Sequence, residues 1–187
     1  MTDLEALLLV SQHAPKLSPV ESQFLRVIGR HETSYGRGWK DNSNIPGAVG
    51  DPRTSRNWGA ITTLSEPFFT YMDGLPGKKE PRKFKVYPDD GFGIRDLSRH
   101  LYIKRPLVEP IGRGNAATAL RIMSEPKTLY FEAPLVEYMK AAKRNYDEIL
   151  RNTGESGLLS FDDMASGGFF ELALVGGLLY AGYRYLT

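Results

Sequence analysis

Glu32 is the side chain in this sequence with the best chemical prospects. It closes a predicted helix, beside the apolar face that Val20, Phe24, Val27, Ile28 and His31 make at helical spacing. A carboxyl in a partly apolar setting resists ionisation, so its pKa rises and it holds a proton near neutral pH. That is the state a general acid needs in order to cleave a glycosidic bond. Phe24, Ile28, Tyr35 and Trp39 are the expected apolar wall, and Gly36 and Gly38 leave room for a sugar chain to approach the backbone. The competing reading of a glutamate in a last helical turn is a solvated surface group.

Other chemistries are poorly supplied. His31-Glu32 opens like a zinc-protease signature, but Tyr35 stands where the second imidazole should be. His13 and His100 lack a partner at ligand spacing, and the absence of cysteine removes thiolate chemistry, disulfides and zinc ribbons. Gly112-Arg113-Gly114 has the look of a dinucleotide loop, yet no predicted strand precedes it. Neither a metal nor a cofactor is therefore expected. With 24 Lys and Arg against 22 Asp and Glu, the net charge of +2 argues against a nucleic-acid partner of the usual strongly basic kind.

The elements that must position Glu32 are legible in outline. A length of 187 residues suits one domain plus an appendage. Residues 4–10 read as a short amphipathic helix, and Asp3 and Glu5 replace the positive flank of a secretory signal. Ser18-Pro19-Val20-Glu21 is a helix start, with Ser18 as N-cap and Glu21 closing a capping box; Ser34-Tyr35-Gly36 and Gly38 end the helix. Residues 40–56 read as a long loop. Residues 67–72 and 83–87 read as a hairpin around Asp73-Gly74-Leu75-Pro76-Gly77. Helices are expected near residues 93–102, 116–123 and 133–151. The class is α+β, mainly helical with one small hairpin.

Placed on these elements, the motifs form an ordered series. Glu32-Thr33-Ser34-Tyr35-Gly36 ends the helix; Asn57-Trp58-Gly59-Ala60-Ile61 follows the loop; Thr63 and Glu66 enter the hairpin; Phe84-Lys85-Val86-Tyr87-Pro88-Asp89-Asp90 leads into a helix. In this order they resemble the bacterial and phage glucosaminidase family, part of the lysozyme-like superfamily that also contains the lytic transglycosylases. The likeness covers roughly residues 18–150. It implies a lysozyme-like domain that cuts the β-1,4 glycan backbone of peptidoglycan as an N-acetylglucosaminidase, muramidase or lytic transglycosylase. By the resemblance, Glu32 is the catalytic acid and Tyr87 positions sugar beside it, while Glu66 is nearest the family's second carboxylate, with Asp51 and Asp73 as rivals. Asn57, Trp58, Tyr35 and Tyr130 join Tyr87 as expected cleft residues. For Trp58, Tyr87 and Tyr130, core packing is an equally open reading. The basic run Lys78, Lys79, Arg82, Lys83 and Lys85, opposed by Glu80, reads as a solvated hairpin tip or as a salt-sensitive attraction to an anionic wall.

The domain is expected over residues 1–151, followed by a linker at 152–166 and a transmembrane helix at 167–186, about the length that crosses a bilayer core. Phe169, Phe170, Tyr180, Tyr183 and Tyr185 cluster towards its ends, and Ala173, Gly177 and Ala181 offer a small-residue face for helix–helix self-association. Asp162 and Asp163 precede this segment and Arg184 stands near its far end, which places the domain on the periplasmic, wall-facing side, as in a virion-borne component reaching the wall. A helix folded back on the domain is the alternative. Two functional rivals also stay open: a catalytically inactive, membrane-anchored structural or wall-penetration protein, and a wall-binding module built on the basic hairpin.

Overall fold

The fold is known from a computed structural model that describes residues 1–73 and 79–162. Helix α1 (Asp3–His13) is capped by Thr2, and α2 (Pro19–Thr33) by Ser18 and Glu21 in a full capping box, with Pro19 in its first turn. Ser34, at φ 47°, turns the chain out of α2. The antiparallel hairpin β1 (Phe68–Asp73) and β2 (Glu80–Lys85) follows. The remainder is α3 (Asp90–Ser98), which continues into a π-helical turn at Arg99–Ile103, then α4 (Val108–Gly112), α5 (Ala116–Ser124) and α6 (Leu135–Thr153). The chain is thus α+β, a set of helices with one two-stranded hairpin.

Helix α2 is the axle. Phe24, Leu25, Val27 and Ile28 are completely buried in it, and α1, α3, α4 and α6 all pack around it. Each such side chain removed from water contributes roughly 1.5–3 kcal/mol before the entropy of ordering is subtracted. Helix α6 faces the axle with Tyr138, Met139, Ala142, Tyr146 and Ile149, a stripe at helical spacing. Burying that stripe holds the far end of α2 rigid where Glu32 emerges.

The hairpin has a second, smaller core. Phe69 lies opposite Phe84 in the register, their rings stack at 5.5 Å, and Trp39 packs against Phe69, Tyr71 and Phe84 at 4.8–5.2 Å. Trp39 therefore supports the hairpin and is not the wall of Glu32 that its sequence position suggests. The 40–56 loop is sewn to β1 by buried Asn42, whose amide donates to the carbonyls of Gly50 and Thr70 at 3.1 and 2.8 Å.

Two further expectations change. The short helix α4 has no anticipated counterpart, because Pro110 and Gly112 within five residues disguise it. The stretch beyond α6 is not a free linker: residues 154–162 lie along the domain. Glu155 forms a bidentate pair with fully buried Arg26 at 2.7 Å, Leu159 and Phe161 are buried, and Ser160 bridges to Asn115. Apolar side chains and a matched charge give this strap more to gain from docking than from solvent. Among the described residues no helix is long and apolar enough to cross a membrane, and the expected segment 167–186 lies outside them.

Candidate active site

Glu32 opens into a cleft of about 610 Å³ lined by α2, the 59–62 turn, the hairpin, the 129–133 segment and the start of α6. That volume is within the range of small-ligand sites. The carboxyl is half-buried at the end of α2, and Tyr138 of α6 donates its hydroxyl to Oε1. Tyr138 is itself fixed, stacked on Phe131 at 3.7 Å and met edge-on by His31 at 4.3 Å. Burial raises the Glu32 pKa from 4.5 to about 7; the Tyr138 hydrogen bond opposes that rise, and the charge of Asp73 adds to it. Glu32 is therefore a carboxyl that still carries its proton near neutrality. Burial also keeps His31 below the usual imidazole range, helped by Arg144, so Glu32 gains no imidazolium neighbour there.

The turn beside the acid is built by residues expected to touch sugar. Asn57 is fully buried: its amide donates to the carbonyls of Ile61 and Lys85 at 2.9 and 3.1 Å, and its Oδ1 accepts from the N–H of Ile61 at 2.9 Å. These bonds hold Ala60 at φ 50°, a left-handed conformation that a residue with a Cβ adopts only when its surroundings impose it. Thr33 ties the turn to the helix by donating to the Trp58 carbonyl at 2.8 Å, and its hydroxyl accepts the N–H of Gly36 at 2.8 Å. The Glu32-Thr33-Ser34-Tyr35-Gly36 motif thus aims the acid and joins it to the next motif.

Some expected cleft residues are elsewhere. Trp58 is fully buried and donates to Asp90 at 2.9 Å; Tyr35 is buried and donates to Asp3 at 2.6 Å on the α1 side. Tyr87 is 9% exposed and its hydroxyl donates to Asp96 at 2.6 Å, an ion-paired carboxylate also held by Lys85 at 2.7 Å. These rings find polar partners inside the fold, so packing took them. Glu66 is exposed before β1, and Asp51 is paired to Arg53 at 2.9 Å, both outside the cleft lining. Asp73 and Tyr130 do line the cleft, and the Tyr130 hydroxyl donates to the Gly59 carbonyl at 2.7 Å.

Two members of the basic run are ion-paired, and Lys78 lies outside the described residues. Arg82 pairs with Asp73, Glu80 and Glu132 at 3.0–3.2 Å, Lys85 pairs with Asp96, and Lys83 lies over the Phe68 ring at 4.2 Å. The Arg82–Glu132 pair links the hairpin to the 129–133 segment along the cleft. Tyr138, Phe131 and Arg105 are among the cleft residues without a sequence signal: Tyr138 looks like any member of the α6 core stripe. Among the described residues no group of three His, Asp or Glu side chains stands where it could hold a metal ion. Comparison of the chain with protein-family models, curated proteins and solved structures finds no match.

Proposed function

We propose that this chain is a lysozyme-like glycosidase that cleaves the β-1,4 backbone of peptidoglycan. The observation that carries the reading is Glu32: a carboxyl protonated up to about pH 7 and oriented by Tyr138, at an open cleft. A general acid is most effective when its pKa lies near the working pH, where it is protonated yet willing to give the proton up. Glu32 delivers that proton to the glycosidic oxygen. As the bond lengthens, positive charge grows on the anomeric carbon, and Asp73 in the same cleft supplies the opposing charge. Asp73 therefore replaces Glu66 as the second carboxyl of the proposal, and Tyr130 replaces Tyr87 and Trp58 as the aromatic lining.

Of the ordered motifs, Glu32 and Gly59-Ala60-Ile61 line this cleft side by side, which supports the same family reading, while residues 84–90 lie outside its lining. The apolar segment 167–186 is proposed as a membrane anchor that keeps the domain at the wall. Retention of the full chain in the detergent-extractable fraction, lost when that segment is deleted, tests the anchor. The activity is tested on a turbid suspension of purified cell wall. The wild-type chain clears it with release of sugar fragments, and Glu32→Gln lowers the rate by at least about a hundredfold while still binding wall. Undiminished clearing by the variant overturns the assignment. Mass spectrometry of the fragments then identifies the linkage cut and the form of the new ends.

A further inference from the structure

One cation in the cleft is used by neither the fold's ion pairs nor the acid. Arg105 is half-buried in the cleft lining, and its guanidinium is held by three backbone carbonyls: His100 at 2.7 Å, Thr128 at 2.8 Å and Leu129 at 3.1 Å. It lies over the ring of Tyr130 at 4.8 Å. Carbonyls and a ring face orient a guanidinium without cancelling its charge. Among the described residues no carboxylate pairs with it, whereas Arg82 in the same cleft meets three. Of the five N–H groups a guanidinium carries, these bonds take three, which leaves two for a ligand. Two is the number a carboxylate takes in a bidentate pair. Lys104 adds charge on the same side, its ammonium 3.0 Å from Nε2 of His100, another cleft residue.

We propose that Arg105 is a carboxylate-binding subsite that makes the cleft selective for acidic over neutral glycans; this rests on the glycosidase reading above. Tyr130 is the physical link between subsite and acid. Its ring lies under the guanidinium and its hydroxyl fixes Gly59 in the turn beside Glu32, so a carboxylate seated on Arg105 sets the register of the chain across the acid. A polymer of N-acetylglucosamine alone offers this group neutral oxygens but no carboxylate. A glycan bearing lactyl ethers or stem peptides offers a carboxylate from either source.

The test measures binding by calorimetry with the full-length Glu32→Gln chain, which cannot consume its ligand. The probes are a neutral N-acetylglucosamine tetramer, an alternating glucosamine–muramic acid tetramer without peptide, and the same tetramer carrying stem peptide. An acidic probe is expected to bind about tenfold tighter than the neutral one. Preference for the peptide-free tetramer assigns the lactyl carboxylate, and preference confined to the third probe assigns the peptide. Adding Arg105→Gln brings the ratio of acidic to neutral affinity to about one. Because Arg105 also braces three carbonyls, a second arm leaves the protein alone: amidating the probe's carboxylates with a carbodiimide must abolish the same advantage. Equal affinities for all three probes, or a preference that survives amidation, overturn the subsite and leave the glycosidase reading standing. Binding of no glycan at all overturns both.

Discussion

Tyr138 donates its hydroxyl to Oε1 of Glu32, joining the start of α6 to the end of α2 across the floor of the cleft. Two opposing effects meet at that contact. Burial pushes the carboxyl towards its neutral form, and the phenol favours its charged form. Burial wins, so the acid rests near pH 7 rather than far above it.

Tyr138→Phe separates the two effects. The ring keeps its stacking on Phe131, but the hydrogen bond to the carboxylate is gone, so the pKa of Glu32 rises further. A hydrogen bond to a charged group is worth about 1.5–3 kcal/mol, which converts to an upward move of about one pH unit or more. The alkaline limb of the activity profile should shift upward by that amount. An unchanged limb would show that a different group controls it.

Glu32 should also write its signature on stability. Its pKa is raised on folding, so between pH 4.5 and about 7 the native chain binds a proton that the unfolded chain has lost. Stability is fully present below the lower value and declines as pH climbs to the upper one, by up to about 3 kcal/mol. Glu32→Gln removes the penalty. Its melting temperature should match the wild type near pH 4 and exceed it by on the order of 5 °C at pH 8. A difference independent of pH would contradict the buried acid.

Gly59 is the point where the cleft turn admits no side chain. A Cβ there would lie 2.6 Å from Cδ1 of Leu97 and 2.7 Å from the Tyr130 hydroxyl. Gly59→Ala must push Tyr130 off the Gly59 carbonyl or displace a buried leucine. We expect a loss of about 1–3 kcal/mol in denaturant unfolding, with weakened glycan binding.

The strap after α6 makes a separate test of where the domain ends. Arg26 is wholly buried and its charge is matched by Glu155, 24% exposed. Glu155→Ala leaves that charge unpaired and should cost about 3 kcal/mol, whereas Arg26→Met combined with Glu155→Ala should cost less than Glu155→Ala alone. A double-mutant cycle measures the coupling, and additive losses would mean the strap is only loosely held.

These cases show what the sequence made legible. Helix starts and stops were readable because Ser18, Glu21 and Ser34 act through bonds a few residues away. The half-buried, proton-holding carboxyl was readable because Glu32 ends an apolar face. The identity of its wall was not: Tyr138 lies 106 residues away, and its approach depends on how α6 packs on α2. Trp58, Tyr35 and Tyr87 misled for a related reason. An aromatic with a polar end satisfies itself equally well on a sugar or on a buried carboxylate, and here Asp90, Asp3 and Asp96 were nearer. Arg105 left no trace, since three carbonyls brought together by tertiary folding set the position of its guanidinium.

The choice between Asp73 and Glu66 decides whether the hairpin contributes chemistry or only shape. Asp73 lines the cleft and its charge helps to hold the proton on Glu32; Glu66 is exposed outside that lining. Asp73→Asn removes a negative charge, so the pKa of Glu32 falls and the alkaline limb of activity moves to lower pH. It also removes the charge opposing the developing cation, for which we expect a loss of about ten- to a hundredfold in turnover. The Asp73–Arg82 pair is partly exposed, and surface pairs contribute only about 0–1 kcal/mol, so denaturant unfolding of Asp73→Asn should change little and separates a catalytic loss from unfolding. Glu66→Gln should stay within about twofold of wild type at every pH. The reverse pattern, with Glu66→Gln inactive and Asp73→Asn unaffected, would require the strand to present its entry rather than its end to the glycan, and would reject Asp73 as the partner of the acid.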